Sequence, residues 1–293
     1  MKAFGRILTA MVTPFHDDLS VNYQAAASLA KHLVANGNDG LVVAGSTGEA
    51  ATLGKEEKLK LFATVLDAVG DKATVIVGTG SNDTRASIAL TQEAEKLGVH
   101  GSLVVGPYYN KPPQEGYYQH FKAIADNTGL PLIVYNVPGR TASNILPATI
   151  VRLAEIKNIV AVKESSGNLD QVSEIVRSVP KDFMVYSGDD SLTLPILSVG
   201  GVGVVSVAGH IVAKRMQDMI AAFFAGDVAA ARDIHLELLP FFKVIFITTN
   251  PIPVKTAVNL AGLGAGPLRQ PLIAATAAET EQIRKVMQEI GAL

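Results

Sequence analysis

The run IVAVKESSG, Ile159 to Gly167, sets a lysine where an apolar strand would otherwise continue. Burying an ammonium costs free energy unless it loses its proton or finds a partner. A neutral amine in such a strand attacks carbonyl carbon, and the product of that attack is a Schiff base. Two plainer uses of Lys163 stay open at this point: its stem can carry the charge out to water at the strand end, or it can pair with Glu164 beside it. Tyr135, at the matching end of the preceding apolar run LIVYNVPGR, could pass a proton to and from a carbinolamine oxygen if a second hydroxyl relays it onward. It could equally be core. Arg140, in a loop held by Pro138 and Gly139, offers a two-pronged donor to a carboxylate, or is simply solvated.

GSTGE, Gly45 to Glu49, brackets Ser46 and Thr47 with glycines between a strand and a helix. Backbone N–H groups can line an anion nest there, with both hydroxyls beside it; the plain alternative is a loop leading to a helix cap. PYYN, Pro107 to Asn110, brings two tyrosines to another strand end, where packing is the default role.

These residues need a frame that gathers strand ends. Apolar runs at RILTAMV (from Arg6), GLVVAG (Gly40), ATVIVGTG (Ala73), GSLVVGP (Gly101), LPLIVYN (Leu130), NIVAVKE (Asn158), FMVYSG (Phe183) and GVGVVSV (Gly201) read as strands. Helical periods lie between them at Asn22 to Asn36, Lys55 to Val69, Thr84 to Leu97, Gln114 to Asn127, Pro147 to Glu155 and Leu169 to Ser178. Gly37, Gly70 and Gly98 follow helix ends and suit left-handed caps. About eight such units close an α/β barrel of the (β/α)8 TIM type, whose functional face is built from the carboxyl ends of the strands. The first turn, TPFHDD, lacks the glycines of a dinucleotide-binding sheet. After Gly226 the strand pattern stops. The spacing predicts a barrel over residues 1–225 and a C-terminal helical region over 226–293, with helices at Val228 to Ile247, Val254 to Ala261 and Thr276 to Ile290. NPIPVK, Asn250 to Lys255, is expected to join two of them as a rigid turn.

Composition narrows the chemistry. The 293 residues are 48% hydrophobic and 18% charged, enough for a large core and against disorder. A net charge of −2 offers no field for a phosphate backbone, so nucleic acid is not an expected partner. With no cysteine there is no thiolate chemistry. The pairs Asp17-Asp18 and Asp189-Asp190 and the scattered histidines lack metal-site spacing, and GTGSND is not followed by the Gly-Lys-Ser/Thr of a phosphate loop. No metal and no cofactor is expected. The apolar run near the N-terminus is short for a signal peptide and interrupted by Pro14, and no run approaches the roughly 20 residues of a membrane span. The expected location is the cytoplasm, without membrane association.

Taken in order, GSTGE, PYYNKP, YNVPGRT, VAVKESSG and NPIPVK resemble the dihydrodipicolinate synthase family, within the N-acetylneuraminate lyase superfamily of pyruvate-dependent Schiff-base aldolases. The likeness runs over nearly the whole chain. It implies that Lys163 forms an imine with pyruvate, whose enamine attacks L-aspartate 4-semialdehyde on the way to lysine and diaminopimelate. It also implies that Tyr135, Thr47 and Tyr109 relay protons, Tyr109 coming from a neighbouring subunit. Ser46 and Thr47 would bind the pyruvate carboxylate and Arg140 that of the semialdehyde, with Gly188 and Val205 adding backbone at the pocket. The implied assembly is a homo-oligomer, at least a dimer and commonly a tetramer of tight dimers.

Two departures bear on function. Ser46 replaces the first threonine of the GTTGE common in the synthase branch, and the sialic-acid lyase branch also reads GSTGE. The choice against a keto-sugar-acid aldolase therefore rests on Arg140 and NPIPVK. The lysine-effector positions of inhibited relatives match Ala50, Ala51, Lys55, Lys58, Asn82, Ala86 and Tyr108. Lys55, Lys58 and Ala86 stand where inhibited members carry histidines and a glutamate, which implies weak or absent feedback by lysine. His210, in SVAGH, stands where many relatives have asparagine. A pyridoxal-phosphate enzyme lacks its phosphate-binding glycine loop here, and a non-catalytic binding barrel would not form a pyruvate adduct.

Overall fold

A computed structural model describes residues 4–293. Eight parallel strands close into a barrel in chain order. They are β1 (Ile7–Ala10), β2 (Gly40–Val43), β3 (Thr74–Gly78), β4 (Gly101–Val105), β5 (Leu132–Asn136), β6 (Ile159–Glu164), β7 (Met184–Ser187) and β8 (Gly203–Ser206). Each falls inside an apolar run of the sequence. Nearly every strand residue is buried, which is why these runs are continuous rather than alternating: side chains on one face fill the barrel and those on the other pack beneath helices. The chain is a (β/α)8 TIM barrel with additional C-terminal helices.

The helices begin where side chains can satisfy their first amides. Asn22 accepts from Ala25 N (2.9 Å) before α1 (Tyr23–Ala35), and Asp83 from Arg85 N (2.9 Å) before α3 (Thr84–Leu97). Asn168 accepts from Asp170 N and Gln171 N before α7 (Leu169–Ser178). Together with α2 (Lys55–Val69), α4 (Gln114–Ala125) and α6 (Pro147–Ala154), these occupy the intervals read from the hydrophobic period. Gly37 and Gly98 are left-handed, with φ of +98° and +82°.

Gly70 is not, and here the expectation fails. It has φ −65°, and its N–H bonds to Leu66 O (2.7 Å) in one more right-handed turn. Three helices lie outside the intervals that the hydrophobic period predicts: α5 (Pro138–Thr141), α8 (Thr193–Ser198) and α9 (Gly209–Phe224). NPIPVK is also not a turn throughout. Helix α11 (Ile252–Leu260) starts inside it, because prolines at 251 and 253 fall at the cap and first turn, where a missing N–H has no helical partner to lose. The other C-terminal helices are α10 (Val228–Val244) and α12 (Ala277–Glu289); the latter is closed by a reciprocal cap between Thr276 and Glu279.

The chain groups into two compact units: residues up to Val75 with Ser206–Leu293, and Ile76–Val205. In the first, His210 is fully buried on α9. Its Nδ1 lies 2.8 Å from Val207 O and its Nε2 3.0 Å from Val12 N. One ring nitrogen donates and the other accepts, so the neutral ring satisfies both backbone groups. Burial holds its pKa down to about 4. His210 is thus a neutral tie between the loop after β1 and the end of β8.

Candidate active site

In the unit Ile76–Val205, Tyr135 on β5 and Lys163 on β6 are register partners, and Lys163 is in turn paired with Tyr186 on β7. The three residues therefore form one layer across adjacent strands. Lys163 is 5% exposed, and its Nζ sits 4.1 Å from the centroid of the Tyr135 ring. Neither plain use of this lysine holds. Its stem does not carry the charge to open water, and Glu164 is not its partner.

Successive strand residues face opposite ways, and Glu164 turns outward into a set of amides. Its carboxylate accepts from Asn136 Nδ2 (3.0 Å), Gln171 Nε2 (3.3 Å) and Ser166 N (2.7 Å). Asn136 and Gln171 both bond to Asn144, and Asn136 Oδ1 accepts from Ile145 N (3.0 Å). The segment from Val137 to Ile145 is thereby tied to β6. That segment carries Arg140, which sits in the single helical turn of α5 rather than in an irregular loop and is exposed. Pro138 starts this turn and Thr141 Oγ1 returns to Val137 O.

Gly188 follows β7, its N–H bonded to Glu164 O (2.8 Å). A Cβ placed there would overlap Ser165 Oγ and come within 3.0 Å of Lys163 Cε. Glycine is required because the lysine stem passes directly over the backbone. Val205 lies fully buried on β8. Tyr108 and Tyr109 occupy the loop after β4, where Asn110 Nδ2 bonds to Asn82 O (2.8 Å). Tyr109 has φ +68° and is 89% exposed. Within its own chain it is not gathered with Lys163 and Tyr135.

In the other unit, the GSTGE turn is bracketed by two non-glycine residues in left-handed backbone, Ala44 (φ +49°) and Glu49 (φ +57°). Such residues cost about 1–2 kcal/mol each and need outside support. The amides of Gly48, Glu49 and Ala50 fold back on the carbonyls of Gly45 and Ser46, which narrows the nest to the amides of Ser46 and Thr47. Thr13 Oγ1 donates to Gly48 O (2.6 Å). Thr47 is buried and accepts from Asn250 Nδ2 (2.9 Å).

Glu49 is held by residues 206 and 220 positions away: Lys255 Nζ at 2.7 Å and Arg269 N at 2.9 Å. Lys255 Nζ also donates to Thr13 O (2.8 Å) and lies over the Phe15 ring. Burial pulls its ammonium down, to about 8, while the adjacent carboxylate opposes that pull. Arg269 clamps Glu57 with both Nη atoms (2.8 and 2.6 Å) and donates to Thr52 O. Lys255 is thus a second buried lysine, away from the strand ends, and its donors are committed. Tyr186 and Asn250 also stand beside the site residues that the sequence marks. Tyr186 was visible as the tyrosine of FMVYSG, whereas the Asn250 contact had no local signal.

The expected effector positions fall at four places along the chain. Ala50 and Ala51 lie on a 3₁₀ turn, Lys55 and Lys58 on the first turn of α2, Asn82 and Ala86 around the start of α3, and Tyr108 after β4. Lys58 is half-buried, and burial alone holds its ammonium below the usual range. Among the described residues no helix is long and apolar enough to cross a membrane.

The model of the dihydrodipicolinate synthetase family matches residues 3–290. The 4-hydroxy-tetrahydrodipicolinate synthase of Heliobacterium modesticaldum is 60% identical over 288 residues, covering 98% of this chain and 96% of its own. Among solved structures, DHDPS from Cyanidioschyzon merolae with lysine bound superposes with a TM-score of 0.98 at 48% identity, covering 99% of each chain. The chloride-inhibited dihydrodipicolinate synthase of Acinetobacter baumannii complexed with pyruvate gives 0.96 at 36% identity, covering 99% of this chain and 100% of the other. With Lys163 and Tyr135 layered on neighbouring strands of a (β/α)8 barrel, the chain belongs to the dihydrodipicolinate synthetase family.

Proposed function

We propose that Lys163 carries this family's reaction as its imine-forming amine. The chain is a lyase that condenses pyruvate with L-aspartate 4-semialdehyde to 4-hydroxy-tetrahydrodipicolinate, the reading supported over a keto-sugar-acid aldolase. The observation that carries the residue assignment is the buried Lys163 amine against the Tyr135 ring, with Glu164 turned away and satisfied by amides. The amine adds to the keto carbon of pyruvate, and the carbinolamine loses water to give the imine. A methyl proton leaves to form the enamine, whose carbon adds to the semialdehyde's carbonyl. The semialdehyde's own amine then attacks the imine carbon, closes the ring and displaces Lys163.

Tyr135 and Thr47 pass protons to and from the carbinolamine and aldehyde oxygens, and Tyr109, presented outward, completes the relay in a neighbouring subunit. Ser46 and Thr47 receive the pyruvate carboxylate; Gly188 and Val205 contribute backbone. The reading requires a homo-oligomer, at least a dimer and in its full form a tetramer, working in the cytoplasm. The barrel over residues 1–225 holds the chemistry and 226–293 form the appended helices.

Offering the protein pyruvate with each acceptor tests the reaction: aspartate semialdehyde is consumed and keto-sugar acids are not cleaved. The opposite pattern would sink this reading. Arg140 receives the semialdehyde carboxylate, so Arg140→Ala should raise the KM for that substrate by about 10- to 100-fold, the scale of one charged hydrogen bond. Arg140→Lys should restore only part, because an ammonium cannot make the forked contact. An unchanged KM would move the carboxylate elsewhere. L-Lysine should inhibit weakly or not at all, since Lys58 offers its ammonium a like charge; a sub-millimolar inhibition constant would contradict this.

A further inference from the structure

We infer that Asn250 is a positioning residue for the reaction, setting the direction of the Thr47 hydroxyl. The inference rests on the reading that places Thr47 in the proton relay. Asn250 Nδ2 donates to Thr47 Oγ1 at 2.9 Å across 203 residues of sequence, and both side chains are buried. A threonine hydroxyl has one proton and two lone pairs. An amide N–H occupying one lone pair cannot take the proton, so Thr47 must spend it elsewhere, as a donor.

The backbone around it is already pinned. Thr13 holds Gly48 O, while Lys255 and the Arg269 amide hold Glu49 from the opposite end of the turn. What remains variable is the Thr47 side-chain torsion and its O–H direction, and Asn250 contacts the atom that decides both. The segment NPIPVK therefore serves the site twice: Lys255 fixes where the GSTGE turn lies, and Asn250 fixes which way its central hydroxyl gives a proton.

A double-mutant cycle tests this. Asn250→Ala should lower kcat by about 10- to 100-fold, the scale of misplacing one reacting group. The borohydride-trapped pyruvate adduct on Lys163 should still form at saturating pyruvate. In a Thr47→Val background the same change should cost less than about twofold further, because the atom it orients is gone. Equal losses in both backgrounds would overturn the inference. Asn250→Asp, which keeps the shape, carries the test if the alanine variant does not fold. An ionised carboxylate accepts the Thr47 proton and reverses the bond, whereas the protonated acid can donate again. Its kcat relative to the parent enzyme should therefore recover as pH falls; a constant ratio would overturn the inference. If the parent protein forms no pyruvate adduct on Lys163, the reading of the site fails. If the adduct forms and the cycle is additive, only the role of Asn250 fails.

Discussion

Replacing Lys163 with alanine is expected to lower kcat/KM by about 10,000-fold or more, the scale seen when a covalent nucleophile is removed. It should also abolish the mass increase on borohydride treatment with pyruvate. The fold should survive, because among the described residues the amine has no ion-pair partner to strand: Glu164 is satisfied by Asn136, Gln171 and Ser166. Peptide mapping of the parent adduct adds a sharper discrimination, since the chain has a second buried lysine. Lys255 is engaged by Glu49, Thr13 O and the Phe15 ring and should remain unmodified. An adduct at Lys255, or one that persists in Lys163→Ala, would overturn the assignment.

The second large effect concerns stability. Lys255 and Glu49 are each 1% exposed at the side chain and 2.7 Å apart. Breaking a buried pair leaves one charge without compensation, which costs about 3–5 kcal/mol, whereas removing both charges often costs far less. Lys255→Met should therefore lower Tm by roughly 10 °C. Lys255→Met with Glu49→Gln should recover much of the loss in a thermal melt. Catalysis need not recover with it. Glu49 is held in left-handed backbone by these contacts, so the double variant should melt near the parent temperature while its KM for pyruvate stays raised. If the single and double variants melt alike, the pair is not what stabilises this turn.

Much of this architecture was legible because its signals are local. The strands are buried on both faces and appear as unbroken Val/Ile/Leu runs. The register pairing of Tyr135 with Lys163 follows from their matching positions at the ends of consecutive strands. The failures have physical causes of the opposite kind. Gly70 permits a left-handed cap but does not demand one, and a bond to Leu66 O held it right-handed. Prolines in NPIPVK suggest a break, yet at the first turn of a helix they are tolerated, so Lys255 became a helical residue facing Glu49. Contacts such as Asn250 with Thr47 join residues about 200 apart in sequence. No window of local periodicity contains them; the family motifs mark both ends without saying that they touch.

The opposite orientations of Lys163 and Glu164 also constrain how β6 can assemble. A slip of one residue against its neighbours would turn every side chain on the strand to the other face. A slip in one direction would put the carboxylate in the place of the amine inside the barrel, and a slip in the other would put the amine against Asn136, whose amide donates to the carboxylate. Both errors carry a desolvation cost. The residues that equip the barrel for imine chemistry therefore also penalise the misaligned alternative.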